Sequence, residues 1–147
     1  LESAVDASSW FLPIGKTVVR EKFGNGEENV FKSKGYNIFD NLPLAILVNE
    51  GSASASEIMA GALKEHDIAK LVGTKTFGKG SVQELVEITP QTSLKITIAK
   101  WLTPSGVSIS DQGLEPDFKV EITKKDLELE NDPQMEKAAE IVNSWKK

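Results

Sequence analysis

Three serines stand among small residues in Gly51-Ser52-Ala53-Ser54-Ala55-Ser56-Glu57, directly after the apolar run at residues 43–49, PLAILVN. The pattern reads as a strand, a tight turn and a helix start. A nucleophile there is exposed at the carboxyl end of a strand, where α/β folds gather their sites. The first N–H groups of the helix have no partner within it and carry partial positive charge. They suit the oxyanion of a tetrahedral intermediate. A purely structural reading competes, because Ser54 and Glu57 are spaced as a capping box. The segment alone chooses neither between catalysis and capping nor among Ser52, Ser54 and Ser56.

A serine hydroxyl needs a base. The single histidine, His66, falls twelve residues after Ser54 on the same expected helix. At 1.5 Å per residue that is about 18 Å, whereas proton transfer needs about 3 Å. His66 reads instead as an exposed helix-end residue, welcome at a C-terminus. There is no cysteine, so lysine and the carboxylates remain. Lys79 lies in Phe77-Gly78-Lys79-Gly80-Ser81, between two expected strands. Its flanking glycines permit unusual backbone shapes and close approach of another segment. The stretch is not a phosphate loop, since no helix follows it. As a base Lys79 must be uncharged, although a free lysine titrates near ~10.4. Burial without a carboxylate lowers that value. Phe77 and the lack of acidic residues from 76 to 83 suit such a dry site. An anion contact or a plain surface lysine are the alternatives.

The positioning elements follow from periodicity. Residues 1–12 have helical spacing and stop at Pro13 and Gly15. Asn25-Gly26 joins 16–23 to 28–34 as a mostly polar edge hairpin. Residues 43–49 read as a strand buried on both faces, hence an α/β layer fold. The helix after the serines runs to about His66, and 69–73 is a second buried strand. Strands at 82–88 and 92–102 follow, then a loop at 103–117, a short strand at 118–123 and an acidic linker. The last helix opens with Asp132 as N-cap and Pro133 at its first position. Its stripe, Met135, Ala138, Ile141, Val142 and Trp145, reads as packing against the core.

Composition bounds the partners. The chain has 147 residues, 39% hydrophobic and 27% charged, with a net charge of −5. That size suits one domain. The negative balance argues against nucleic acid, whose phosphates call for a basic face. No apolar run approaches the ~18 residues of a membrane span. The absence of cysteine suits an oxidising compartment. A start at Leu1-Glu2, without Met, suggests a piece of a longer protein.

Taken together, PLAILVNEGSASASEIMAGAL, LVGTKTFGKGSVQ, LKITIAKWLTPSG, the GLEPD turn and the closing DPQMEKA helix resemble the carboxy-terminal processing peptidases, or tail-specific proteases. The resemblance covers nearly the whole chain. It implies an α/β ClpP/crotonase-like spiral core, a mixed sheet with flanking helices. It implies a serine endopeptidase that cuts protein or peptide substrates near their C-terminus by acyl transfer. The family's pattern makes Ser54 the nucleophile, Lys79 the base, Gln83 the residue that orients the lysine, and the Ala55 N–H an oxyanion donor. Trp101 stands where tyrosine is common, either shaping the substrate pocket or packing as a half-buried strand aromatic.

No metal or other cofactor is implied. The implied partners are the substrates and a PDZ domain of the same parent chain, with a homo-oligomer also allowed. The implied location is extracytoplasmic, in the periplasm or cell envelope, with a membrane anchor in the parent an option. Residues 1–147 read as a partial core, lacking its N-terminal part and the PDZ domain, with 124–147 a linker and helix packed on it. The family's Asn-Pro-Gly-Gly segment, source of the second oxyanion donor, is not found. Losing one such donor lowers turnover about 10²–10³-fold, so the chain alone is expected to be weakly active. A non-catalytic peptide- or ligand-binding module of the same superfamily is the runner-up. An acyl-CoA enzyme of the crotonase kind is third, without a basic cluster for its phosphates.

Overall fold

In a computed structural model that describes residues 1–110 and 112–145, the chain builds two sheets around one central helix. Helix α1 (Glu2–Ser9) leads to the hairpin β1 (Thr17–Phe23) and β2 (Glu28–Lys32). Strand β3 (Leu44–Val48), helix α2 (Ala55–Glu65) and strand β4 (Ala69–Gly73) form a parallel crossover unit. Then come the long hairpin β5 (Ser81–Thr89) and β6 (Thr92–Leu102), the two-residue β7 (Phe118–Lys119), and helices α3 (Lys124–Glu128) and α4 (Pro133–Ser144). One sheet is antiparallel with order β2-β1-β6-β5, and the other is parallel with order β3-β4-β7.

Helix α2 is the hub because its apolar residues enter two clusters of the core. Ile58, Ala62 and Leu63 pack with Ala4 and Val5 of α1, Val18 and Val19 of β1, Ala69 of β4 and Trp101 of β6. Ala60 meets Val48 and Leu71 under Leu114. The opposite face of the parallel sheet, at Ala45 and Val72, is covered by Ala138 and Ile141 of α4 with Trp145. The mixed α/β layering follows from this arrangement.

Several expectations change in detail. The hairpin turn forms at Gly24–Glu27, but only β2 lies at the edge: β1 also pairs with β6, and Val18 and Val19 are fully buried. Strand β3 is packed on both faces, by α2 and by α4, as expected, but it lies at the sheet edge. Among the described residues only β4 pairs with it, and Leu47 is exposed. Strand β4 has neighbours on both edges. The acidic linker contains a short helix, α3, and the expected strand at 118–123 shrinks to β7. In α4 the packed face is Gln134, Ala138, Ile141 and Trp145. Met135, at 55% exposure, and Val142 lie outside it. Gln134 belongs inside because its Nε2 donates to the Val120 carbonyl at 2.8 Å, capping a backbone group an apolar residue would strand. The expected closing segment, 124–147, ends two residues beyond the described ones.

Candidate functional site

The turn between β3 and α2 separates the three serines. Ser52 Oγ accepts the Asn49 N–H at 3.2 Å, and Ser52 N–H donates to the Asn49 carbonyl at 2.9 Å, so its hydroxyl belongs to the turn. Ser56 lies within α2 on its exposed side. Ser54 is the N-cap, half-buried, with φ 58° and ψ −113°. A non-glycine residue held there is strained by about 1–3 kcal/mol, and such strain clusters at functional turns. Ser54 and Glu57 occupy capping-box positions, yet the Ser54 side chain makes no cap hydrogen bond. The hydroxyl stays beside the Glu57 N–H without closing a hydrogen bond, and the closed half of the box is the return contact, with the Ser54 N–H donating to Glu57 Oε2 at 2.9 Å. Ala55 opens the helix, and among the described residues its N–H meets no acceptor, as the first helical amides must.

The lysine loop is fastened to this turn by its backbone. Thr74 N–H donates to the Val48 carbonyl at 2.9 Å and Phe77 N–H to the Ser52 carbonyl at 3.0 Å. Gly78 and Lys79 N–H groups donate to Glu57 at 2.7 and 2.9 Å. Each glycine beside Lys79 has its own reason. Gly78 has φ 86°, in the left-handed region. A Cβ on Gly80 would stand 2.4 Å from the Ser110 backbone nitrogen.

The backbones of Ser54 and Lys79 are therefore joined, but their side chains are not. Lys79 is exposed, contrary to the dry site its surroundings suggested. Phe77, the residue expected to shield it, also points into solvent. Among the described residues no hydrogen bond or ion pair engages Lys79 Nζ. Gln83 is exposed too; it pairs with Thr97 next to an irregularity between Val82 and Gln83.

Trp101 takes the packing alternative. It is 9% exposed, inside the core, edge-on to Phe31 with ring centroids 6.0 Å apart. Its link to the site is its backbone, whose N–H donates to the Gly80 carbonyl at 2.6 Å. His66 is the C-cap of α2 and half-buried, with Nε2 2.7 Å from the Thr17 carbonyl. A carbonyl only accepts, so Nε2 carries the proton, and the ring is committed to β1. A cavity of about 460 Å³ lies elsewhere, lined by Gly61, Lys64, Thr103 and Leu114 rather than by Ser54 or Lys79.

Sequence reasoning passed over Glu57 as a helix cap. It is fully buried, and Thr76, whose Oγ–H donates to Glu57 Oε1 at 2.5 Å, is nearly so. A signal was available: Glu57 shares a helical face with Gly61, four residues on, which packs under Leu114. A charged residue on a buried face requires partners.

A strained serine between a parallel strand and a helix is a layout by which α/β enzymes present a nucleophile. The model of peptidase family S41 matches residues 1–120, and the chain belongs to that family. A protein of Staphylococcus haemolyticus named "Probable CtpA-like serine protease" is 43% identical over 121 residues, 82% of this chain and 24% of the relative. A protein of the same name from Staphylococcus aureus (strain COL) is 43% identical over 125 residues, 84% of this chain and 25% of the relative. The chain thus spans about a quarter of the length of these relatives.

Among solved structures, a photosystem II D1 C-terminal processing protease superposes with TM-score 0.76 at 33% identity, covering 82% of this chain and 31% of that one. A lipoprotein from Streptococcus agalactiae shares the fold, with TM-score 0.69 at 18% identity, covering 94% of this chain and 47% of its own. The fold is the ClpP-like α/β core that the resemblance implied.

Proposed function

We propose that this chain is the core of a serine endopeptidase working with a Ser54–Lys79 dyad. Ser54 Oγ attacks the peptide carbonyl carbon while Lys79 Nζ, uncharged, takes its proton. The ammonium then protonates the leaving amine as the C–N bond breaks, leaving an acyl-enzyme. Water adds to the ester carbonyl and loses its proton to Lys79, and the ammonium then protonates Ser54 Oγ as the C–O bond breaks and the carboxylic acid leaves. The Ala55 N–H serves as one oxyanion donor, and Gln83 orients the amine. Substrates are proteins cut near their C-terminus. The parent also carries a PDZ domain and acts outside the cytoplasm.

The observation carrying this reading is the Ser54 backbone. A plain N-cap sits in extended geometry with its hydroxyl bonded to the helix amides, whereas Ser54 is strained, with a hydroxyl that lies beside the Glu57 N–H but closes no cap hydrogen bond. The exposed amine gives the reading a second part. Lys79 must be dried by segments of the parent, or by bound substrate, before it acts as a base. The isolated chain is therefore expected to turn over slowly.

The test uses the complete parent protein on an unstructured protein substrate. Ser54→Ala and Lys79→Ala each abolish cleavage, and His66→Ala retains it. Cleavage that survives Lys79→Ala, or is lost with His66, sinks the dyad.

A further inference from the structure

One carboxylate lies between the two halves of the site. Glu57 is 0% exposed, and both of its oxygens are fully used. Oε1 accepts the Thr76 hydroxyl at 2.5 Å and the Gly78 N–H at 2.7 Å. Oε2 accepts the Ser54 N–H and the Lys79 N–H, each at 2.9 Å. Four donors match the acceptor capacity of an ionised carboxylate. Among the described residues no cation pairs with it. Its charge is held by dipoles alone, from the two loops that carry the proposed nucleophile and the proposed base.

We propose that Glu57 is a positioning residue for the Ser54–Lys79 pair. The inference rests on the dyad reading and deepens it. Oε2 alone spans the pair, since one oxygen accepts from the backbones of both residues. It holds Ser54 in its strained turn and fixes the Cα of Lys79 against it. The lysine side chain has several rotatable bonds, so with its root pinned only the side chain need move for Nζ to reach Oγ. Thr76 completes the arrangement from behind. Its hydroxyl donates to Oε1 and accepts the Leu114 N–H at 2.7 Å, anchoring the carboxylate to the core.

Glu57→Gln keeps the size but replaces one oxygen with an NH₂ group. That group faces N–H donors, so one side of the clamp must open whichever way the amide turns. The assay uses the complete parent protein and the same unstructured substrate. Turnover is corrected for the folded fraction by circular dichroism. The expected result is a fall in kcat of about 10²-fold, the usual consequence of a misplacement near 1 Å, with KM nearly unchanged. The acid limb of the kcat–pH profile also moves, because the amine no longer sits in the same surroundings.

A role in stability alone predicts a lower melting temperature with wild-type kcat and pH profile per folded molecule, and that result overturns the proposal. Should Glu57→Gln not fold, Thr76→Val removes a single donor behind Oε1. It is expected to give a smaller fall confined to kcat, and an unchanged kcat there overturns the proposal equally. The two readings fail separately. Full activity in Glu57→Gln alongside inactive Ser54→Ala and Lys79→Ala removes only the role of Glu57. Activity in Lys79→Ala removes the dyad itself.

Discussion

Two helices of this molecule begin with the same kind of sequence signal and end up with different devices. Thr123 and Asp126 open α3, as Ser54 and Glu57 open α2. At α3 the box is complete: Asp126 N–H donates to Thr123 Oγ1 at 3.3 Å, and Thr123 N–H donates to Asp126 Oδ2 at 2.8 Å. Thr123 has φ −87° and ψ 164°, ordinary extended geometry; it is exposed and Asp126 is half-exposed. At α2 the hydroxyl closes no cap hydrogen bond, the backbone crosses to positive φ, and the carboxylate is buried with donors from a second loop. A hydroxyl–x–x–carboxylate spacing therefore says where a helix starts and not what the hydroxyl does. What the carboxylate meets decides that.

The largest consequence is in stability. Removing Glu57 strands the Ser54, Gly78 and Lys79 amides and the Thr76 hydroxyl, and each buried group left unpaired costs about 1–3 kcal/mol. Part of this is recovered by water at the surface side of the loop. Glu57→Ala is expected to lower the unfolding free energy by at least about 3 kcal/mol, measured by urea denaturation. A loss no larger than that of Asp126→Ala would remove the distinction between the two helix starts.

The two hydroxyls give a smaller and opposed pair of effects. Thr123→Ala deletes a working N-cap and is expected to cost about 1 kcal/mol, with activity of the parent unchanged. Ser54→Ala deletes a hydroxyl that makes no cap bond. It is expected to stay within about 0.5 kcal/mol of the parent in stability, while activity is lost. The crossed outcome is the informative one, because an ordinary cap at Ser54 would destabilise like Thr123. Denaturation of both variants, beside the cleavage assay, reads it directly.

Much of this was legible because local rules carried it. Asn25-Gly26 turns a hairpin, and Asp132 with Pro133 opens α4; the Asp132 carboxylate accepts the Met135 N–H at 2.9 Å. The first helix forms but ends at Ser9, ahead of the expected stop at Pro13 and Gly15. The crossover from β3 through α2 to β4 followed from two apolar runs flanking a helix. What was not legible depends on third parties. Strand β3 is packed on both faces, as its apolar run from Leu44 to Val48 implies, but the run does not reveal that one edge lacks a neighbour and leaves Leu47 exposed. Lys79 looks dry beside Phe77 only if Phe77 turns inward, and no rule of sequence fixes that rotamer. Glu57 was hidden by a sufficient local explanation, since its other partners lie about twenty residues away at Thr76, Gly78 and Lys79. Trp101 left two readings open, and the position of Phe31 on the neighbouring hairpin decides for packing.

The smallest expected effect is in the acid range and belongs to α3. The Asp126 carboxyl is held below its ordinary value of 3.8, chiefly by the Thr123 hydroxyl and then by the Thr123 N–H, with Lys125 adding a smaller attraction. A carboxyl whose folded value lies below its unfolded one binds its proton less readily in the folded state. Its contribution is therefore complete above about pH 3.8 and is lost as pH falls through the lower folded value. Helix α3 buries no residue, so little besides this box resists fraying. The Asp126 and Thr123 amide resonances are expected to shift together below pH 3.8 in the intact chain, with the first turn of α3 opening in the same window. Thr123→Ala removes the leading cause and should return the Asp126 titration to the ordinary range. A titration unmoved by that substitution would mean the hydroxyl is not what holds the carboxylate, and the complete box at α3 would lose its claim as the reference against which Ser54 is judged.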